Sequence, residues 1–173
     1  MLTELISRAM SDNLTHIYIE NAIETDISQW PDFFKYIEKT KVDGNYRSDF
    51  DGFYILNGVQ KEDLYKFKNA EKFDIECAMA YEEPIKTRHG FSIVLSELTQ
   101  GENGVDVSGI MKHTDPHDTI HLDYIGSSLW NIYDNDGVHQ YTLNPGDVIW
   151  VRANVEHEVF SLMPRAGIIF CAG

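Results

Sequence analysis

Two cysteines in 173 residues, Cys77 and Cys171, are too few and too far apart for a disulfide framework or a cysteine-type zinc site. Both read as small buried hydrophobes. Basic residues are scarce as well: 14 Lys and Arg stand against 28 Asp and Glu, a formal net charge of -14. That balance excludes a nucleic-acid backbone or an anionic membrane surface as the main partner, because each would be repelled. No apolar run approaches the roughly 20 residues that span a bilayer, and the opening MLTEL has neither the basic n-region nor the apolar h-region of a signal peptide. The chain therefore reads as soluble and cytoplasmic. Against these absences stand 43% hydrophobic and 12% aromatic residues, enough for one core in a length too short for two. A single domain over 1–173, without internal repeats, is the expectation.

The first part, 1–84, reads as helix-containing. Residues 1–10 suit a short helix, and 14–19 alternate like a strand in which His16 is an ordinary strand residue. Asp26 or Ser28 can cap a helix through 30–37, whose first turn tolerates Pro31 and whose aromatics read as core. Gly, Asn, Asp and Ser mark a loop over 41–51, ahead of a strand or buried turn at 52–58. KEDLYKFK at 61–68 predicts a short charged helix with surface pairs, and 73–81 stays open between helix and strand until Glu82, Glu83 and Pro84 close it. From 85 to 173 strand-like runs follow one another, at 90–98, 107–112, 119–125, 128–133, 139–143, 147–151, 158–162 and 166–171. Short strands parted by Gly, Asn and Asp turns predict a mainly β fold, an antiparallel sandwich or small barrel with N-terminal helices packed outside.

Chemistry concentrates in 109–126, GIMKHTDPHDTIHLDYIG, which holds His113, Asp115, His117, Asp118, His121 and Asp123 between strand-like flanks. Polar groups at this density are costly to bury without a partner, and a divalent metal satisfies several at once. In a strand, alternate residues share a face, so His113 and Asp115 can both aim into a lumen. A second element, PGDVIWVRANVEH at 145–157, runs turn, apolar strand, polar turn, and places His157 at the start of the next strand. Two imidazoles and a carboxylate on one side of a metal leave other positions open, an arrangement suited to non-haem Fe(II) that must bind a cosubstrate and O2 together. A rival pair exists, because His121 and Asp123 form a second HxD whose residues share a face with Thr119.

The segment 109–170 resembles the cupin-like, JmjC-type double-stranded β-helix dioxygenases that use Fe(II) and 2-oxoglutarate. The resemblance rests on HTD at 113–115, the following Asp118, Gly126 with Trp130 four residues on, the PGDVIWV strand, His157, and Pro164 with Arg165. It implies an eight-stranded β-helix core over 85–173 and a metal triad of His113, Asp115 and His157. The implied reaction decarboxylates 2-oxoglutarate while hydroxylating a C–H bond of a protein side chain or small molecule. Where JmjC-type hydroxylases commonly carry Lys or Arg, two residues after the matching glycine, this chain has Ser128. Another branch of these oxygenases anchors the cosubstrate with an Arg on the last strand, and Arg165 lies at that distance, eight residues beyond His157. A guanidinium binds a carboxylate in bidentate fashion, so Arg165 is the expected anchor, with Ser128, Thr119, His121 or Tyr133 assisting.

Other histidines read more plainly: His117 as a loop residue, His89 and His139 at strand ends or on the surface. Trp130 and Trp150 read as wall and core, and Glu156 and Glu158 as facing away from the metal. Two further functions stay open. One is a metal cupin working without 2-oxoglutarate, as a dioxygenase or isomerase; the other is a cupin module that binds a small ligand in its lumen. The substrate is expected to be admitted by the N-terminal elements and the loop 101–106, to a protein that is a monomer or a homodimer.

Overall fold

A computed structural model describes residues 1–43, 53–81, 85–95 and 109–173. The loop 101–106 expected to admit substrate, the end of the strand expected at 90–98, the start of that expected at 107–112, most of the loop over 41–51 and the closing Glu82, Glu83 and Pro84 lie outside the described residues.

The first part supplies helices α1 (Leu2–Ser11), α2 (Trp30–Asp43), α3 (Lys61–Leu64) and α4 (Ala70–Met79), with strands β1 (His16–Ile19) and β2 (Phe53–Asn57). A 3-10 turn at Ile27–Gln29 leads into α2, and Asp26 caps it by accepting from the Ser28 amide at 2.9 Å. The stretch left open at 73–81 is mostly helix. Ala70, Phe73, Cys77 and Ala80 recur at helical spacing and are all buried, so α4 has one apolar face. The charged helix expected over 61–68 ends at Leu64, because Leu64 and Phe67 both turn into the core.

The second part is a succession of strands: β3 (Thr87–Val94), β4 (Gly109–His113), β5 (Asp118–Ile125), β6 (Ser128–Asp134), β7 (Gly137–Leu143), β8 (Val148–Val151), β9 (Glu156–Ser161) and β10 (Arg165–Ala172). They form two antiparallel sheets, one of six strands in the order β1-β8-β5-β10-β3-β2 and one of four in the order β4-β9-β6-β7. The chain crosses between the sheets as it winds, which makes the fold a double-stranded β-helix. β1 and β2 extend the larger sheet at both edges, so the N-terminal part contributes strands to it as well as the helices that cover it.

Strand alternation divides the interior in two. The outer face of the six-stranded sheet, with Ile120, Leu122 and Tyr124 of β5 and Ala166, Ile168 and Phe170 of β10, packs beneath the helices on Ile6, Phe33, Phe67 and Phe73. Between the sheets, Trp130, Ile132, Leu143, Ile149, Val151 and Val159 form a smaller apolar plug. What remains of the space between the sheets is a cavity in which polar side chains, among them His113, Asp115, His121, His157 and Arg165, stand among apolar ones. Because its outer face is covered and its inner face lines that space, β5 is buried from Thr119 to Ile125.

His89 departs from its expected place at a strand end or on the surface. β3 begins at Thr87 rather than at Gly90, which puts His89 inside the strand, 7% exposed, with its Nε2 2.7 Å from Asp74 of α4. The other oxygen of Asp74 accepts from the Tyr65 hydroxyl at 2.5 Å. Burial alone pushes the Asp74 carboxyl up, but the hydrogen bonds from His89 and Tyr65 outweigh it and hold it below the usual carboxylate range. His16 and His139 also form a small network, in which Asp134 accepts from Thr15 at 2.8 Å and from His139 at 2.9 Å, and His16 meets the Tyr141 hydroxyl at 2.7 Å. Among the described residues no helix is long and apolar enough to cross a membrane.

Candidate metal centre

The register of β4 against β9 sets His113 opposite His157, with ring centroids 4.4 Å apart. Asp115 follows in the turn after β4. Its Oδ2 lies 3.4 Å from His157 Nε2 and 3.8 Å from His113 Nε2, and one ligand atom from each of the three side chains falls within 4.8 Å of the others. The turn is fixed from two sides. The Asp115 carbonyl accepts from the Asn154 amide at 2.7 Å, and the Asp118 carboxylate accepts from the Ala153 amide at 2.8 Å and the Tyr81 hydroxyl at 3.0 Å. Asp118 thus ties the end of the HTD turn to the loop that leads into β9 and His157.

The imidazoles present the atoms a metal requires. Nδ1 of His113 donates to the Met111 carbonyl at 2.6 Å and Nδ1 of His157 to the Val155 carbonyl at 2.9 Å, since a carbonyl can only accept. Both rings are thereby held in the tautomer that leaves Nε2 bare, the arrangement typical of metal-ligating histidines. Burial pushes the Asp115 carboxyl up, but the hydrogen bond and charge that His157, and then the charge that His113, bring to it while their Nε2 atoms carry protons outweigh burial and hold it below its ordinary value; a metal ion takes the place of those protons. Two neutral nitrogens and one carboxylate oxygen, converging from one side with Thr119 Oγ1 3.4 Å from Asp115, fit a divalent ion with open coordination positions.

The three side chains open on a cavity of about 850 Å³ that reaches inward to Arg165. Sequence position placed Arg165 just after a proline turn, but it is 0% exposed at the first residue of β10. Its Nε donates to the Ser161 hydroxyl at 2.7 Å, and Nη1 is 3.9 Å from Asp123. Both terminal nitrogens are buried without a hydrogen-bond partner among the described residues, as is the Ser92 hydroxyl on the same cavity. Buried donors of this kind are costly unless something accepts from them. Gly126 lets the guanidinium's backbone come this close. Its φ is +76°, and a Cβ there would stand 2.3 Å from the Pro164 carbonyl and 2.8 Å from Arg165 Cβ.

The remaining candidates sort by what they touch. Thr119 and His121 line the cavity. His121 donates from Nε2 to Asp123 at 2.9 Å, and burial pushes its imidazole below the ordinary value against the pull of that carboxylate. A side chain at Gly167 would strike this ring, with Nε2 only 2.4 Å from an added Cβ. The second HxD is therefore an internal pair rather than part of the three-residue set. The Ser128 hydroxyl is occupied, donating to Asp123 at 2.6 Å and accepting from Trp130 Nε1 at 3.0 Å. The Tyr133 hydroxyl donates to Glu158, away from the cavity. Trp130 forms a cavity wall, stacked on His157 with centroids 5.7 Å apart. Cys77 is buried in the helical core, whereas Cys171 is half-buried on the cavity, its thiol pushed up to about 11 by burial. Ser92 was not among the sequence candidates. Only its position across from Gly167 in the sheet reveals it, and sequence carries no such signal.

No protein-family model matches the sequence, and no curated protein matches it. Solved structures do. The ribosomal oxygenase YcfD of Escherichia coli superposes over 96% of this chain with a TM-score of 0.62 at 12% identity. The fold is cupin/JmjC-type. A single-residue variant of Bacillus subtilis oxalate decarboxylase matches over 73% of the chain at 12% identity and a TM-score of 0.49, and KdgF from Halomonas over 76% at 11% and 0.45. This chain spans 50% of YcfD, 26% of the oxalate decarboxylase chain and 89% of KdgF.

Proposed function

We propose that the protein is an Fe(II)- and 2-oxoglutarate-dependent oxygenase that hydroxylates a second substrate. The observation that carries this reading is the pairing, in one cavity, of the His113, Asp115 and His157 set with a wholly buried guanidinium whose two terminal nitrogens have no acceptor. A metal cupin that needs no acid cosubstrate has no use for such a cation, and an anion supplied from solution removes its cost.

In this reading His113 and His157 hold the ion through Nε2 and Asp115 through its carboxylate. Arg165 takes the distal carboxylate of 2-oxoglutarate as a bidentate partner, with the Ser92 hydroxyl as a further donor. Bound there, ion and cosubstrate supply the redox chemistry: 2-oxoglutarate loses CO2 to become succinate, one atom of O2 entering succinate and the other the substrate C–H bond. The chain's own share is orientation and exclusion of water. Thr119 steadies Asp115, and Trp130 walls the site against His157. His121, tied to Asp123, presents a neutral ring whose room is kept by Gly167.

One observation favours a second reading. The position where JmjC-type enzymes commonly place a cation holds Ser128, and its hydroxyl is already engaged internally. A metal cupin independent of 2-oxoglutarate would have this feature. Succinate formation separates the two. Protein loaded with Fe(II) under nitrogen and then given 2-oxoglutarate and O2 should make succinate slowly without a second substrate, and Arg165→Ala should suppress it. Full metal occupancy with no succinate would transfer the assignment to the second reading.

A further inference from the structure

The cavity has a second guanidinium at its opposite end, and it points to the class of molecule that is oxidised. Arg88 lies on β3 in register with Cys171 of β10, which is itself in register with Thr119 of β5, whose hydroxyl touches Asp115. Arg88 therefore sits on the same row of the sheet as the metal set, two strands away. At about 4.8 Å per strand its backbone is roughly 10 Å from that of Thr119, a span that one small molecule covers.

The charges on this cavity run against those of the whole chain. Among the described residues, a protein of net charge -14 lines it with Arg88, Lys112 and Arg165 against one carboxylate, that of Asp115. Of the three cations, Arg165 is buried at the inner end. Lys112 is committed elsewhere, its ammonium 2.9 Å from Glu156 and 4.0 Å from the centre of the Tyr133 ring. Arg88 is exposed, and its Nη2 donates to His117 Nδ1 at 3.2 Å. That contact steadies one arm of the fork and leaves the other donors open, and among the described residues no carboxylate pairs with it. Between Arg88 and the metal set the wall is β10, where the half-buried Cys171 lies on the row itself and Ile169 two residues along on the same face.

We infer that the molecule oxidised is a small anionic acid, held by its carboxylate or phosphate on Arg88 with its apolar body laid along Cys171 and Ile169 toward the metal. The inference rests on the oxygenase reading for what happens to the molecule, and on Arg88 alone for how it is held. A guanidinium fork suits either anion through paired hydrogen bonds and rejects an amide of the same shape.

Mn(II)-loaded full-length chain under nitrogen, with 2-oxoglutarate at saturation, provides the test. Bound Mn(II) broadens the proton lines of a ligand held beside it, and the probes are phenylacetate, phenyl phosphate and neutral phenylacetamide. Both anions should broaden and the amide should not, the tighter anion identifying the headgroup. Arg88→Ala should weaken anion binding about tenfold or more, Arg88→Lys should restore part of it, and Lys112→Ala should match the unaltered protein. Equal broadening by the amide, anion binding untouched by Arg88→Ala, or no binding by any probe overturns the inference. The same series without 2-oxoglutarate keeps the two readings apart: if the cosubstrate fails to bind, the oxygenase reading falls, while the Arg88 dependence is still read from the anions.

Discussion

Arg165 shows at the scale of one residue what burial of a cation costs the fold. A fully buried cation with two unpaired nitrogens destabilises the fold that contains it. Arg165→Met, which keeps the side chain's bulk, should raise stability by on the order of 1 kcal/mol or more, or about 2–4 °C in Tm per kcal/mol at this length. The same change should end succinate formation. Scanning calorimetry checks the first outcome, and a fall in Tm would mean that the guanidinium is fully satisfied. The HTD and the distant His157 were legible in the sequence because so many ionisable groups between strand-like flanks require a common partner. The burial of Arg165 was legible only through the resemblance, which expects an Arg on the last strand, since by local pattern alone a residue next to Pro164 looks like part of an exposed turn. The orphan hydroxyl of Ser92 and the space reserved by Gly167 exist only in cross-strand register, which no local pattern encodes.

Among the elements, α4 is joined to β3 by the buried pair of Asp74 and His89, reinforced by Tyr65. Removing the carboxylate in Asp74→Ala leaves the imidazole buried and unpaired, and should cost about 1–3 kcal/mol in urea denaturation. The pair also makes a pH prediction. Because the folded protein holds the Asp74 carboxyl below its ordinary value, the pair adds stability above the unfolded pKa of about 3.9, and loses it as pH falls through the lower folded value. Urea midpoints measured from about pH 5 down to pH 2 should therefore fall less steeply in Asp74→Asn than in the unaltered protein. The succession of strands along the second part was largely legible from turn residues, while their order within the two sheets was not. The start of β3 was not, because Gly90 reads as a boundary, whereas here it lies within the strand with an added Cβ 3.1 Å from the Leu56 carbonyl. The helix at Ala70–Met79 was obscured by mixed apolar and charged residues whose spacing resolves only once the buried face is known.

For the whole molecule, metal binding and folding are coupled, since the three ligands come together only in the native arrangement of β4, the following turn and β9. Mn(II) at about 100 times its dissociation constant should stabilise the chain by about 2.7 kcal/mol, or roughly 5–10 °C in Tm. Chelation with EDTA should reverse the shift, and His113→Ala should show no shift at all. A stabilisation that survives His113→Ala would place the ion elsewhere. The cupin-type likeness at 12% identity is consistent with this scale of reading, because two sheets and a covering of helices can be rebuilt from almost wholly different side chains while the same space stays open between them. His113 and His157 hang from the four-stranded sheet, whereas Arg165 belongs to the six-stranded one, and the plug around Ile132 and Ile149 fixes how far apart the sheets stand. The protein thus carries a caliper whose jaws are an imidazole pair and a guanidinium, and a keto acid one carbon shorter or longer than the gap should be gripped at one end only.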